Sequence, residues 1–175
     1  MTDTKYTRIE YERRFLVPPS ADWKRHVESF SKSFEDKYLN NSRLRLRSLT
    51  DSDTGRRIFK LNKKAESESP FFRTVSRILL STEEYEMFDA LAGERLRKVR
   101  HYQKYRGRIF SVDVFGGELE GLILCETEAD GLEDLLAAEP PVYVVAEVTE
   151  DDFFTGGALC RITRTELSKK LSAFC

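Results

Sequence analysis

Short stretches in which alternate residues are apolar or aromatic recur along most of the chain, at residues 7–17, 42–49, 56–63, 72–80, 97–105, 108–115, 122–129 and 142–150. Each combines partial period-two alternation, or a bias towards Val, Ile, Phe and Tyr, with turn chemistry at its ends, as half-buried strands do. The turns are Asp51-Ser52-Asp53-Thr54-Gly55, the Ser-rich run before Pro70, Arg106-Gly107 and Gly116-Gly117. Eight strands at this spacing predict a closed antiparallel barrel rather than a parallel sheet. The clearest helix spans residues 82–92. Ser81 caps it, Glu84 completes a capping box, Tyr85, Phe88 and Leu91 form its apolar face, and Gly93 ends it. Shorter helices are expected at 20–30, at 131–138 before Glu139-Pro140-Pro141, and from about Gly157 to Phe174. No internal repeat or linker divides the chain, so residues 1–175 read as one domain, mainly β with a few flanking helices.

Composition narrows the partners. The 175 residues suffice for one core, and 34% are charged, above the usual quarter. Lys plus Arg (29) nearly cancel Asp plus Glu (30), and the net charge of -1 argues against nucleic acid or an acidic membrane as the partner. No stretch is apolar enough to span a bilayer, and the first residues carry no secretory apolar run. Cys125, Cys160 and Cys175 form an odd set without CxxC spacing and read as reduced thiols of a cytoplasmic protein. His26 and His101 show no zinc-ligand spacing. These features suit a monomer or homodimer acting on a small molecule.

The informative feature is where the charges fall. Residues two apart on a strand share a face. Glu10, Glu12 and Arg14 share one face of the first strand, opposite Ile9, Tyr11 and Phe15. Arg43, Arg45 and Arg47 share a face opposite Leu44 and Leu46. Lys98, Arg100, Tyr102 and Lys104 repeat the pattern, and Glu126 and Glu128 pair two carboxylates. On any one strand a solvated face accounts for this. Solvated faces usually mix signs, however, whereas these strands are largely single-signed. Stacked arginines repel unless an anion lies among them, and paired glutamates repel unless a cation does. A barrel interior holding a metal–polyphosphate complex relieves both. Arginine forks suit phosphate oxygens. Mg²⁺ and Mn²⁺ prefer carboxylates. An eight-stranded barrel is wide enough for one small ligand.

The sequence resembles the CYTH domain, or triphosphate tunnel metalloenzyme, family from about Thr7 to Leu159. Glu10-Tyr11-Glu12-Arg13-Arg14 is similar to the ExExK strand, with arginine in place of lysine. Arg45 and Arg47, the run Phe59-Lys60-Leu61-Asn62-Lys63, Lys98-Val99-Arg100, Val112-Asp113-Val114-Phe115 with Gly121-Leu122, Glu126-Thr127-Glu128 and Glu147-Val148-Thr149 resemble later motifs, in order. The resemblance implies an eight-stranded tunnel, a divalent metal (Mg²⁺ or Mn²⁺), and hydrolysis or cyclisation of a triphosphate. It implies a catalytic set of Glu10, Glu12, Lys60, Glu126 and Glu128. Glu10 and Glu12 would hold metal with Glu126 and Glu128 opposite, and Asp113 and Glu147 would serve as further ligands or as supports behind them. Arg14, Arg45, Arg47, Arg73, Lys98, Arg100 and Lys60 or Lys63 would hold phosphate. Arg43 falls near a strand end, at the rim, and Trp23 is assigned to packing. Two departures stand out. Arg14 cannot act as a base, which leaves Lys60, Lys63 or a carboxylate-bound water to accept a proton. Arg73 to Arg77 is basic where several relatives carry acidic residues. The expected activity is a metal-dependent triphosphatase. The alternatives are an adenylate cyclase of the same family and a non-catalytic polyphosphate- or nucleotide-binding module.

Overall fold

A computed structural model describes residues 6–174. Eight strands close into an antiparallel barrel: β1 (Thr7–Leu16), β2 (Ser31–Leu39), β3 (Leu44–Asp51), β4 (Arg57–Lys64), β5 (Phe72–Leu80), β6 (Gly93–Tyr105), β7 (Arg108–Phe115) and β8 (Ile123–Ala129). The order β5-β4-β3-β2-β6-β7-β8-β1 is closed by pairing of β1 with β5. Closure leaves no free edge on the ring.

The strand count matches the expectation, but one member differs. Ser31–Leu39 is a full barrel strand between β3 and β6. Its sequence, SKSFEDKYL, carries charge on both faces, so no apolar alternation announces it. Residues 142–150 are not a barrel strand. Only β9 (Ala146–Glu147) pairs, as a short addition to β1. The expected helix at 20–30 reduces to a 3₁₀ turn at Trp23–His26.

Local chemistry sets several elements as read. In α1 (Thr82–Asp89), Glu84 N donates to Ser81 Oγ at 3.2 Å and Ser81 N donates to Glu84 Oε2 at 2.7 Å, a complete capping box. The helix stops before Gly93, which instead opens β6. A Cβ at Gly93 would stand 2.5 Å from the Tyr38 carbonyl oxygen, so glycine permits the close approach of β2. Arg106 and Gly107 both take positive φ (48° and 80°), as the two-residue β6–β7 hairpin requires. Residues 131–138 contain α2 (Leu132–Leu136). The expected terminal helix is broken into α3 (Gly156–Leu159) and α4 (Arg164–Leu171), followed by a 3₁₀ turn at Ser172–Phe174.

Apolar side chains pack on the outside of the barrel and over one part of it. Phe15, Val17, Trp23, Phe110, Val112 and Cys125 form an outer cluster, which gives Trp23 the packing role expected. Leu46, Leu61 and Tyr85 form another beneath α1. A third joins Leu96, Phe115 and Leu124 to Phe154, Leu159 and Leu167 of the C-terminal segment. The first two clusters lie outside the ring, whereas Leu96, Phe115 and Leu124 share the inward rows of Lys98, Arg100 and Glu126, so the third fills one end of the interior and leaves the rest to polar groups.

Candidate functional site

Register determines what faces inward. Glu12 lies opposite Glu128, and Arg14 opposite Glu126. Arg100 lies opposite Asp113, and Asp36 opposite Arg47. Because opposed residues share a face, the charged rows of β1, β3, β6 and β8 converge on one interior. That interior holds a cavity of about 480 Å³. Glu10, Glu12, Arg14, Arg45, Arg47, Arg73, Lys98, Arg100, Glu126 and Glu128 all line it, as does Arg43.

The charges are extensively paired. Arg47 Nε and Nη2 donate to the two oxygens of Asp36, each at 2.6 Å. Arg100 Nε and Nη2 make the same fork to Asp113 at 2.6 Å, and Nη2 also reaches Glu126 Oε2 at 2.5 Å. Arg14 donates to Glu126 Oε1 at 3.1 Å and to Glu12. Lys98 donates to Asp113. Glu10 accepts from Arg8 Nη2 at 2.7 Å and Arg77 Nη2 at 2.8 Å, with Lys64 Nζ at 3.6 Å. The like-charge repulsion expected within each row is thus largely relieved between rows.

Protonation follows from this arrangement. Burial opposes ionisation of Asp36, but Arg47 and Arg45 overcome it and hold the carboxyl well below its usual range. Against the same burial, Lys98, Arg100 and Arg14 keep Glu126 ionised far below the carboxylate range. At Glu10, Lys64, Arg8 and Arg77 outweigh burial and lower the value. Glu128 goes the other way, since burial and then the charges of Glu12 and Glu10 raise it. Burial and then Arg77 and Arg47 lower the Lys60 ammonium.

Four expected residues do not line the cavity. Glu147 lies on the outer wall, where Arg13 Nε and Nη2 donate to it at 2.8 and 2.7 Å. It pairs with Phe15, and both lie on the face away from the cavity. Lys63 stands opposite Leu44 and Ser76, outward-facing and exposed. Lys60 shares the inward row of Arg47 without lining the cavity. Asp113, with 0% exposure, sits behind the wall with both oxygens taken by Arg100 and Lys98, a support rather than an open ligand.

The sequence reading missed Asp36 and Tyr38 on β2, Lys64 on β4, Arg77 on β5, and Asp152 and Arg161 of the C-terminal segment, all of which line the cavity. Strict alternation finds two of them: Lys64 continues the row of Lys60 and Asn62, and Arg77 continues that of Arg73.

The donor set can be tested against a divalent cation. Glu12 and Glu128 are directly opposed carboxylates, Glu10 is two residues along the same row, and the raised Glu128 shows the mutual repulsion that a hard cation relieves. As arranged, Glu10 and Glu12 turn to their arginine partners, and among the described residues no three acidic, His or Cys groups stand close enough to enclose an ion. The chemistry of Glu10, Glu12 and Glu128 fits the cation, with those side chains released from their arginine partners.

Among the described residues no helix is long and apolar enough to cross a membrane. Cys125 and Cys160 are free, and burial, the main cause, pushes the Cys125 thiol up to about 12. Cys175 lies outside the described residues.

No protein-family model matches the sequence. The chain is 32% identical over 152 residues to an inorganic triphosphatase of Nitrosomonas europaea, covering 86% of this chain and 95% of that protein. The crystal structure of the inorganic triphosphatase NE1496 superposes with a TM-score of 0.56 at 27% identity, covering 86% of this chain and 93% of that one. A putative adenylyl cyclase from Hippeastrum, described as having a dominant triphosphatase activity, shares the fold at 14% identity and a TM-score of 0.51, covering 73% and 82%. With this relative, this closed barrel and these inward charges, the chain belongs to the CYTH, or triphosphate tunnel metalloenzyme, family.

Proposed function

We propose that this protein hydrolyses a triphosphate, either inorganic tripolyphosphate or an organic triphosphate, with Mg²⁺ or Mn²⁺ held by Glu10, Glu12 and Glu128. The observation that carries the reading is the cavity: one space lined by Arg45, Arg47, Lys98 and Arg100 together with Glu10, Glu12, Glu126 and Glu128. The likeness to an inorganic triphosphatase over nearly its whole length supports hydrolysis over cyclisation. When bound, the cation neutralises charge that builds on the phosphate oxygens.

The chain's own groups do the rest. Phosphoryl transfer needs positioning and charge stabilisation more than covalent chemistry. Asp36 and Asp113 hold the guanidinium planes of Arg47 and Arg100 in place, which fixes where phosphate oxygens are received. Phe34 lies beneath the Arg47 guanidinium at 4.5 Å and backs it from the apolar side. Arg14 has no lone pair to take a proton from an attacking water. Lys60, the lysine of its pair that faces inward, does not line the cavity, which leaves a carboxylate-bound water to accept the proton. A cytoplasmic setting belongs to the same reading and is supported by the free thiols of Cys125 and Cys160.

The test is phosphate release from tripolyphosphate, ATP and thiamine triphosphate by the purified protein, with Mg²⁺, with Mn²⁺ and with chelator. Metal-dependent release from at least one of them is expected. No release from any of the three with either metal refutes the proposal.

A further inference from the structure

One side of the cavity is short of acceptors. Arg47 and Arg100 each fork onto a carboxylate, Asp36 of β2 and Asp113 of β7, and Arg14 divides its donors between Glu12 of β1 and Glu126 of β8. By contrast, none of the inward positions of β4 and β5 is acidic; they carry Lys60, Asn62 and Lys64, and Arg73 and Arg77. Across β3, β4 and β5, Arg45 lies opposite Asn62, and Asn62 opposite Arg77, so two guanidiniums flank one amide in a single row. With its amide turned to present oxygen, Asn62 accepts from Arg45 Nη2 at 2.7 Å. It spaces the two cations without neutralising them.

Each of those arginines has an N–H without an acceptor. Arg77 Nη2 donates to Glu10, but its Nε is sealed from solvent and has no hydrogen-bond partner among the described residues. Arg45 Nε is in the same condition. Buried donors are nearly always paired, and one left unpaired bears its full desolvation penalty. Two of them across one asparagine, both on residues that line the same cavity, lack the same thing: an anionic oxygen. We propose that Arg77 is a further substrate-binding residue, whose guanidinium, released from Glu10, takes a phosphoryl oxygen of the oligophosphate opposite Arg45. This inference rests on the oligophosphate reading above.

The decisive variant is Arg77→Lys in the full chain, with Arg77→Gln beside it. Arg97→Gln serves as the control, its side chain being 74% exposed on the outer face. Lysine keeps a cation beside Glu10 but loses the forked second donor. The expected result is a rise in KM for tripolyphosphate of roughly tenfold with kcat within about threefold, the signature of lost uniform binding. Thermal stabilisation by tripolyphosphate in chelator should shrink in parallel, which reads binding without turnover. If Arg77 serves only to pair Glu10, Arg77→Lys behaves as wild type in both assays, and that result overturns the inference while leaving the triphosphatase reading intact. A wild-type protein that neither hydrolyses nor is stabilised by tripolyphosphate, ATP or thiamine triphosphate brings down both.

Discussion

Asp36→Asn is the perturbation that tests the interior most directly. The Asp36 carboxylate is 1% exposed, accepts both Arg47 donors at 2.6 Å, and has Arg45 at 3.9 Å. Asparagine keeps the shape but removes the charge, so two buried guanidiniums lose their shared counterion. Breaking a buried pair by removing one partner typically destabilises by about 3–5 kcal/mol. Each kcal/mol moves Tm by about 2–4 °C in a domain of this size, so the expected fall is about 6–20 °C. The pH dependence has a definite sign. The folded-state pKa of Asp36 is depressed, so its contribution is fully present above the unfolded-state value, near 4, and is lost as pH falls towards the folded value. The gap between wild type and variant should therefore be constant near neutrality and narrow on acidification below about pH 4. Tripolyphosphate should stabilise the variant more than the wild type, because an added anion substitutes for the missing carboxylate. The assay is a set of thermal melts across pH, with and without tripolyphosphate. A variant that melts within a degree of wild type at neutral pH would refute the claim that Asp36 is the counterion of this cluster.

Glu10→Gln combined with Glu12→Gln should abolish metal-dependent phosphate release while the barrel persists by circular dichroism, since amides bind hard cations poorly. Arg45→Ala should weaken tripolyphosphate binding by about 1.5–3 kcal/mol, measured by titration. Arg13→Ala, whose side chain holds Glu147 on the outer wall, should lower Tm yet leave that affinity unchanged. Glu128→Gln should raise Tm near neutral pH, because a carboxyl whose pKa is raised by folding disfavours the native state once ionised. That gain should vanish as pH falls below the unfolded-state value. Tripolyphosphate should raise Tm more than monophosphate at equal concentration; at a hundredfold excess over its dissociation constant the stabilisation is about 2.7 kcal/mol.

The amino-acid sequence alone determined the barrel class, seven of its eight strands, the capping box of α1 and the inward rows of β1, β3, β6 and β8. All of these follow from backbone geometry: alternation places Glu10, Glu12 and Arg14 on one face whatever surrounds them. Only tertiary structure decided the rest. Ser31–Leu39 has no apolar face to announce it, and it becomes a strand because its neighbours β3 and β6 pair with it on both sides. Glu147 sits in a segment that reads as a strand, yet only two of its residues pair, and the Arg13 fork captures its carboxylate outside the ring. Lys60 and Lys63 were indistinguishable along the chain, and the register of β4 against Arg47 turned one inward and the other out. The counterion Asp36 was invisible as such, and Asp113 stood between ligand and support, because what they neutralise lies on other strands. Partners so far apart in sequence meet only when the barrel closes, and closure is a property of the whole ring rather than of any one strand.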